Sequence, residues 1–423
     1  MNRKEFLRTA AMVAAVPALN PNAHSGPGVW PHIDPDDEAF WQFVRSQFPL
    51  TDQRVYFNTG GLGASPYPVI DAVKGKMDEL ERISETGHTE KLWAEIKDAA
   101  GAFFGCDADE LAFTRNATEG INIVCNGLPL EKGDEVITST HEHVGNSIAW
   151  LALQKRKGVL VKFFEPSTGS ARANVERIER LCTKRTRLIS IPHATTTTGQ
   201  ILPIEGISQL AKARKIWLFV DGAQTAGMFP FNLHEMGCDA FATSGHKWML
   251  GPKETGFLYV RKDMLDVIKA KFVGAYSDAG FDYRKGELKF HPSAQRYEYG
   301  TVNIPMRAGL GAAIGFLNHI GLANVWKRDK QLSTYLFGKL LKMENIRVLS
   351  PESDTERSAM VTFIHDKVPY LELQSYLAKL GFRTRGIGEA NLNAMRISCH
   401  IYNNFEELDR LIENIRKAGT MER

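Results

Sequence analysis

KIWLFVDGAQ at residues 215–224 and DAFATSGHKWMLGPKETGFLYV at residues 239–260 are the two stretches that decide the fold. Each opens with a short run of apolar, β-branched and aromatic residues. Each run ends in ionisable or polar groups: Asp221 in the first, Ser244, His246 and Lys247 in the second. Runs this short and this continuously apolar read as strands buried on both faces. Working outward, similar runs lie at 136–138, 159–164, 188–191 and 257–260, separated by stretches of helical period. Strands alternating with helices predict an α/β fold with a mostly parallel sheet covered on both sides. Ligands of such sheets sit beyond the carboxyl ends of the strands. Asp221, Ser244, His246 and Lys247 fall there, and His143 follows its strand at a slightly longer remove.

The flanks read differently. Helical periodicity covers 36–47 and most of 65–105, and a short strand at 55–57 ends in Asn58-Thr59-Gly60-Gly61-Leu62-Gly63. Beyond about 305 the pattern is α+β: helices at 306–320 and 325–343, strands at 346–349 and 360–363, a helix at 371–380, a strand at 395–398 and a helix at 405–417. The expected organisation is an export-signal-like segment at 1–24, an N-terminal arm at 25–64 joining the small domain, a large domain at 65–304 and a small α+β C-terminal domain at 305–423.

With 43% hydrophobic and 24% charged residues, the 423-residue chain has the composition of a globular protein. Its formal charge of +3 gives no electrostatic case for nucleic acid or a membrane surface. The five cysteines are odd in number and form no CxxC pair, which excludes a full disulfide framework and argues against a cysteine metal site. No metal is expected. Arg3, Lys4 and Arg8 precede an apolar stretch at 10–19 that is too short to span a bilayer. NRKEFLR resembles a twin-arginine export signal with Lys4 in place of the second arginine. Export to the periplasm is the expectation, with a cytoplasmic protein carrying an N-terminal extension as the alternative.

A lysine directly behind a buried strand is unusual, because burying an ammonium group is costly unless it is paired or loses its proton. Taken alone, Lys247 reads as a surface loop residue and Asp221 as a turn cap. Together with their neighbours they carry a resemblance. VDGAQ with SGHKWMLGPKETGFLYV resembles the class V aminotransferase family of fold-type I pyridoxal-phosphate (PLP) enzymes, which includes cysteine desulfurases, isopenicillin N epimerase and related C–S lyases. The likeness runs from about residue 55 to about 403. FTRNATEGIN (113–122) is similar to the family's phosphate-site turn and helix, HEHVGN (141–146) to the segment with the ring-stacking histidine, GTVN (300–303) to the stretch that reaches a neighbouring subunit's phosphate, and MRIS (395–398) to the substrate-carboxylate segment.

That resemblance implies a seven-stranded, mostly parallel sheet in the large domain and a covalent link between PLP and Lys247. It implies that Asp221 faces the pyridine nitrogen, that Gln224 bonds the ring's phenolic oxygen and that His143 stacks on the ring. Lys247, His143 and Asp221 are then the catalytic set. The phosphate falls to Ala117, Thr118, Ser244 and His246, with Thr301 donated by a partner subunit. Arg396 binds the substrate's α-carboxylate, with Arg385 and Asn58 as further substrate contacts. The implied partners are an amino-acid substrate and a second copy of the chain, forming a homodimer with a shared active site.

Two departures from the family matter. RTRGIGEAN (383–391) carries no cysteine where desulfurases place their sulfur-accepting thiol, and Cys399 lies beyond Arg396. Without that thiolate there is no persulfide acceptor. In addition, Thr195-Thr196-Thr197-Thr198-Gly199 stands where desulfurases carry an asparagine. The expected activity is chemistry at an amino acid's α-carbon, closest to the epimerase and C–S lyase members. A class V aminotransferase is the alternative, and a desulfurase or a non-catalytic binding protein on the same fold are the remaining readings.

Overall fold

The computed structural model describes residue 30 and residues 33–420. The export-signal-like segment at 1–24 lies outside the described residues. The strands, in chain order, are β1 (Val55–Tyr56), β2 (Leu111–Thr114), β3 (Glu135–Ser139), β4 (Leu160–Phe164), β5 (Thr186–Pro192), β6 (Trp217–Asp221), β7 (Ala240–Ser244) and β8 (Gly256–Val260). Seven of them form one sheet in the order β2-β8-β7-β6-β5-β3-β4. β8 runs antiparallel to both of its neighbours, while β7, β6, β5, β3 and β4 pair in parallel. Every residue of β7 and β8 is buried, as are the last four of β6. This is why the sequence reads as unbroken apolar runs rather than alternating ones. Gly222, just past β6, is forced by packing: a Cβ there would lie 1.7 Å from Phe241 Cζ.

Helix Ala117–Gly127 follows β2 and is capped by Asn116, whose side chain accepts the Glu119 N–H. Helix Val144–Lys157 is capped by His143 itself, with Nδ1 accepting the Gly145 N–H at 3.1 Å. These helices pack Ile121, Val124, Trp150 and Leu153 against Phe219 and Leu258 of the sheet.

Beyond β8 come a hairpin, β9 (Asp278–Asp282) with β10 (Glu287–Phe290), and the remaining strands β11 (Ile346–Val348), β12 (Met360–His365), β13 (Phe382–Arg383), β14 (Arg385–Ile387) and β15 (Ala394–Ser398). A second, antiparallel sheet has the order β11-β12-β15-β14. Helices Leu322–Leu340, Tyr370–Lys379 and Phe405–Ala418 bury Leu332, Leu336, Leu377 and Leu411 against its Phe363 and Ile397. The arm joins here: β1 pairs in parallel with β13, and Asn58 bridges to Ser398. Helix Ile304–Ile320 packs along helix Tyr67–Ile83, and at Gly321 the chain turns by 77° into the next helix. No single helix among the described residues is long and apolar enough to cross a membrane.

Three features of the sheets were not read from the sequence. β2 adds a strand between those at 55–57 and 136–138, and β13 and β14 are short strands in the stretch between the helix at 371–380 and the strand at 395–398. The β9–β10 hairpin has no buried face, so it leaves no apolar period to detect.

Candidate active site

Past the carboxyl ends of β2, β3, β5, β6 and β7 lies a cavity of about 320 Å3. Nine of the residues singled out from sequence line it: Ala117, Thr118, His143, Asp221, Gln224, Ser244, His246, Lys247 and Arg385. Gly60, Gly61 and Thr196 complete the wall nearest the small sheet.

Lys247 is buried, and its surroundings set its charge. Burial brings the amine down to about 8; the carboxylate of Asp221 pulls it up, and the guanidinium groups of Arg396 and Arg385 push it further down. Asp221 is also buried, which raises its carboxyl, while Lys247 and the Ala223 N–H at 2.9 Å oppose that rise. His143 is brought to about 4 by burial and by the charges of Lys247 and Arg385, so it is a neutral ring at neutral pH. His246 is likewise held at about 4 by burial and the neighbouring lysines, and its buried Nδ1 has no hydrogen-bond partner among the described residues.

One end of the cavity is built to receive an anion. Ala117 and Thr118 are the first two residues of helix Ala117–Gly127. The Ala117 N–H donates to Ser244 Oγ at 3.0 Å. The Thr118 N–H, at the second helical position, has no intrahelical acceptor. Free N–H groups and the helix dipole favour a phosphate at such a terminus. The donor set fits PLP: an amine that is partly uncharged at neutral pH, a buried acid, a neutral imidazole, and a helix terminus flanked by a serine hydroxyl.

Thr196 proves to be the hub of the opposite wall. Its Oγ1 accepts from Arg396 Nη1 at 2.9 Å and from Gln224 Nε2 at 3.2 Å, and its carbonyl accepts from Arg396 Nη1 at 2.6 Å. With its lone pairs taken, the Thr196 hydroxyl hydrogen is the group left to donate. Gln224 lines the cavity as expected. Its Nε2 donates to Gly60 O at 2.8 Å and to Thr196, and its Oε1 accepts from Trp248 Nε1 at 3.0 Å. Indole only donates, so Trp248 fixes the amide's orientation.

Arg396 is fully buried one layer behind the cavity wall, where its Nη2 reaches Asn58 Oδ1 at 3.3 Å. Burial and the charge of Arg385 push the guanidinium down to about 9. It has no carboxylate partner among the described residues, and its Nε has no hydrogen-bond partner there. Arg385 lines the cavity and is paired with Glu389. Thr301 is elsewhere: exposed, and lining a second cavity of about 300 Å3 with Arg115, Tyr299 and Arg307. Glu142 was not singled out from sequence, although it directly precedes His143, which was. It is buried beside β3, accepts from the Thr138 and Ser139 hydroxyls at 3.4 Å, and is raised well above the carboxylate range by burial and by Asp221.

A family profile described as aminotransferase class-V matches residues 72–411. A probable cysteine desulfurase of Pyrococcus abyssi is 28% identical over 406 residues, covering 89% of this chain and 98% of its own. A cysteine desulfurase of Haloferax volcanii is 27% identical over 417 residues, covering 89% of this chain and 96% of its own. Among solved structures, the cystine C–S lyase C-DES in complex with its reaction product cysteine persulfide superposes with a TM-score of 0.81 at 27% identity, covering 88% of this chain and 99% of that one. A C-DES variant with glycine covalently linked to the PLP cofactor gives 0.82 at 27% identity, covering 88% and 98%. With the lysine, the acid and the helix terminus on one cavity, and a profile spanning both sheets, the chain belongs to the aminotransferase class-V family and is a PLP-dependent enzyme.

Proposed function

We propose that the enzyme is a C–S lyase: it removes the α-proton of an amino acid carrying sulfur at Cβ, and the sulfur leaves with its own substituent. The observation that carries this reading is the chemistry of the segment next to Arg385. Where a sulfur acceptor would be needed, the chain places an Arg385–Glu389 ion pair and no thiol. Cys399 is fully buried behind β15, and burial raises its thiol well above the ordinary range. The likeness to the cystine lyase C-DES supports the same choice over epimerisation.

Bound PLP would supply the electron sink that makes the α-proton acidic. Lys247 would hold it covalently, Asp221 would face its ring nitrogen, and Thr118, Ser244 and His246 would hold its phosphate. The rest falls to this chain's side chains. Arg396, a buried cation without a carboxylate, is completed by the substrate's α-carboxylate. Thr196 offers its hydroxyl hydrogen on the same side. The Lys247 amine, which burial holds below the ordinary lysine range, would take the α-proton at Nζ. Neutral His143 packs over the site and helps to exclude water.

The exposed Thr301, which lines a different cavity from Lys247, supports a homodimer in which Thr301 of the partner subunit completes the phosphate site. Mixing inactive Lys247→Ala and weakened Thr301→Ala chains should restore native sites in the hybrids; no recovery on subunit exchange counts against it. For the reaction itself, PLP-loaded protein is incubated with cystine, cysteine and a panel of L- and D-amino acids. The expected products are pyruvate and ammonia, with cysteine persulfide from cystine and sulfide from cysteine. Alanine would mean a desulfurase, inverted stereochemistry an epimerase, and a keto acid retaining the Cβ substituent an aminotransferase.

A further inference from the structure

We propose that the buried Asp329–His400 pair is a positioning device for the turn that carries Lys247. Asp329 lies on helix Leu322–Leu340 and His400 follows β15, so both belong to the small-sheet half of the fold. Both side chains are completely excluded from solvent. His400 Nδ1 is 2.9 and 3.1 Å from the two Asp329 oxygens. The other ring nitrogen, Nε2, is 3.2 Å from the carbonyl oxygen of Trp248, the residue directly after Lys247. The His400 ring also meets the Trp248 indole edge-on at 5.1 Å. That indole orients Gln224, which in turn holds Gly60 O and Thr196 on the cavity wall.

Hydrogen counting fixes the state of the pair. A carbonyl oxygen only accepts, so Nε2 carries a hydrogen. A lone pair on Nδ1 facing an ionised carboxylate would be repulsive, so a second hydrogen lies between Nδ1 and Asp329. The pair therefore keeps one proton more than a neutral imidazole beside a carboxylate and has no net charge, the form that full burial favours. Its surroundings do not compete for that proton. Arg328 is committed to Glu38 and to Asn403 O, Glu407 to Arg45, and the Tyr402 hydroxyl to Thr59. Cys399 is held as a thiol by burial. From the opposite side, the Gly63 N–H donates to His246 O at 2.7 Å. The lysine-bearing turn is thus gripped at residue 246 by the arm and at residue 248 by the dyad.

This inference rests on Lys247 being the cofactor-bearing amine, and the test separates the two. Asp329→Leu and His400→Phe are combined so that neither partner is left as an unpaired buried charge. The double-variant holoenzyme is expected to fold and retain cofactor, with kcat lowered about 10-fold, one charge-assisted hydrogen bond's worth, and KM within about twofold. Asp329→Asn is expected to keep near-native kcat, because its amide N–H can donate to Nδ1 and preserve the Nε2 hydrogen. In the unaltered holoenzyme, nitrogen-15 histidine NMR should show hydrogen on both His400 ring nitrogens at neutral pH, with signals absent from His400→Phe. Undiminished kcat in the double variant, Asp329→Asn as impaired as the double variant, or an unprotonated His400 nitrogen would each overturn the proposal. Turnover surviving Lys247→Ala would instead overturn the assignment of the lysine.

Discussion

The charge state of Lys247 offers the sharpest test of the site. The amine is buried near Asp221, Arg396 and Arg385, and the balance brings it from 10.5 down to about 8. At about pH 7.5 roughly a quarter of it is then uncharged, against roughly one part in a thousand for an ordinary lysine, a gain of about 200-fold in reactive amine. Trace acetylation of the cofactor-free protein across a range of pH, with the Lys247 peptide quantified by mass spectrometry, should titrate with a midpoint near 8. Asp221→Asn removes the carboxylate that holds the proton on, so the midpoint should fall. Arg396→Met removes a like charge, so the midpoint should rise. A midpoint near 10.5 in the unaltered protein, or a rise in Asp221→Asn, would refute the electrostatic argument.

Arg396→Met should also raise the KM for amino-acid substrate by roughly 10- to 150-fold, the worth of a hydrogen bond to a charged group at about 1.5–3 kcal/mol, while leaving PLP retention intact; unchanged KM would sink its assignment to the carboxylate. Gly63→Ala would place a Cβ 2.0 Å from Lys247 O, so the arm must shift; a lower Tm and weaker cofactor retention are expected, checked by thermal melts and spectral titration. His143, His193 and His246 are each held near 4 in the folded chain by burial, against 6.5 when free. Below about 6.5 the unfolded chain therefore binds more protons, and stability should drop as pH falls toward 4. Denaturant midpoints of the cofactor-free protein that stay level through that window would contradict this.

The sheet and the lysine were legible because burial on both faces leaves an unbroken apolar run, and the polar residue that ends such a run falls at the ligand edge. Strand direction was not, since a buried strand running backwards, as β8 does, has the same composition as one running forwards. The polar ends of β6 and β7 placed Asp221, Ser244, His246 and Lys247 on one cavity. What escaped was which hydrogen goes where. Gln224 read as a ligand contact, but its bonds to Trp248, 24 residues on, and to Gly60 and Thr196 were not legible. Such allocations depend on atoms brought together from 164 positions apart and leave no periodic trace. The dyad of Asp329 and His400 is of the same kind, two unremarkable letters separated by 71 positions.

The clamp on residues 246 and 248 also constrains how the enzyme comes into being. One jaw, Gly63, is made long before the other, His400. A ribosome-bound chain that has already emitted the entire large sheet still lacks the second jaw. Until residue 400 has been made, the lysine-bearing turn is held by the arm alone, and any coenzyme taken up before then sits on a turn gripped on one side.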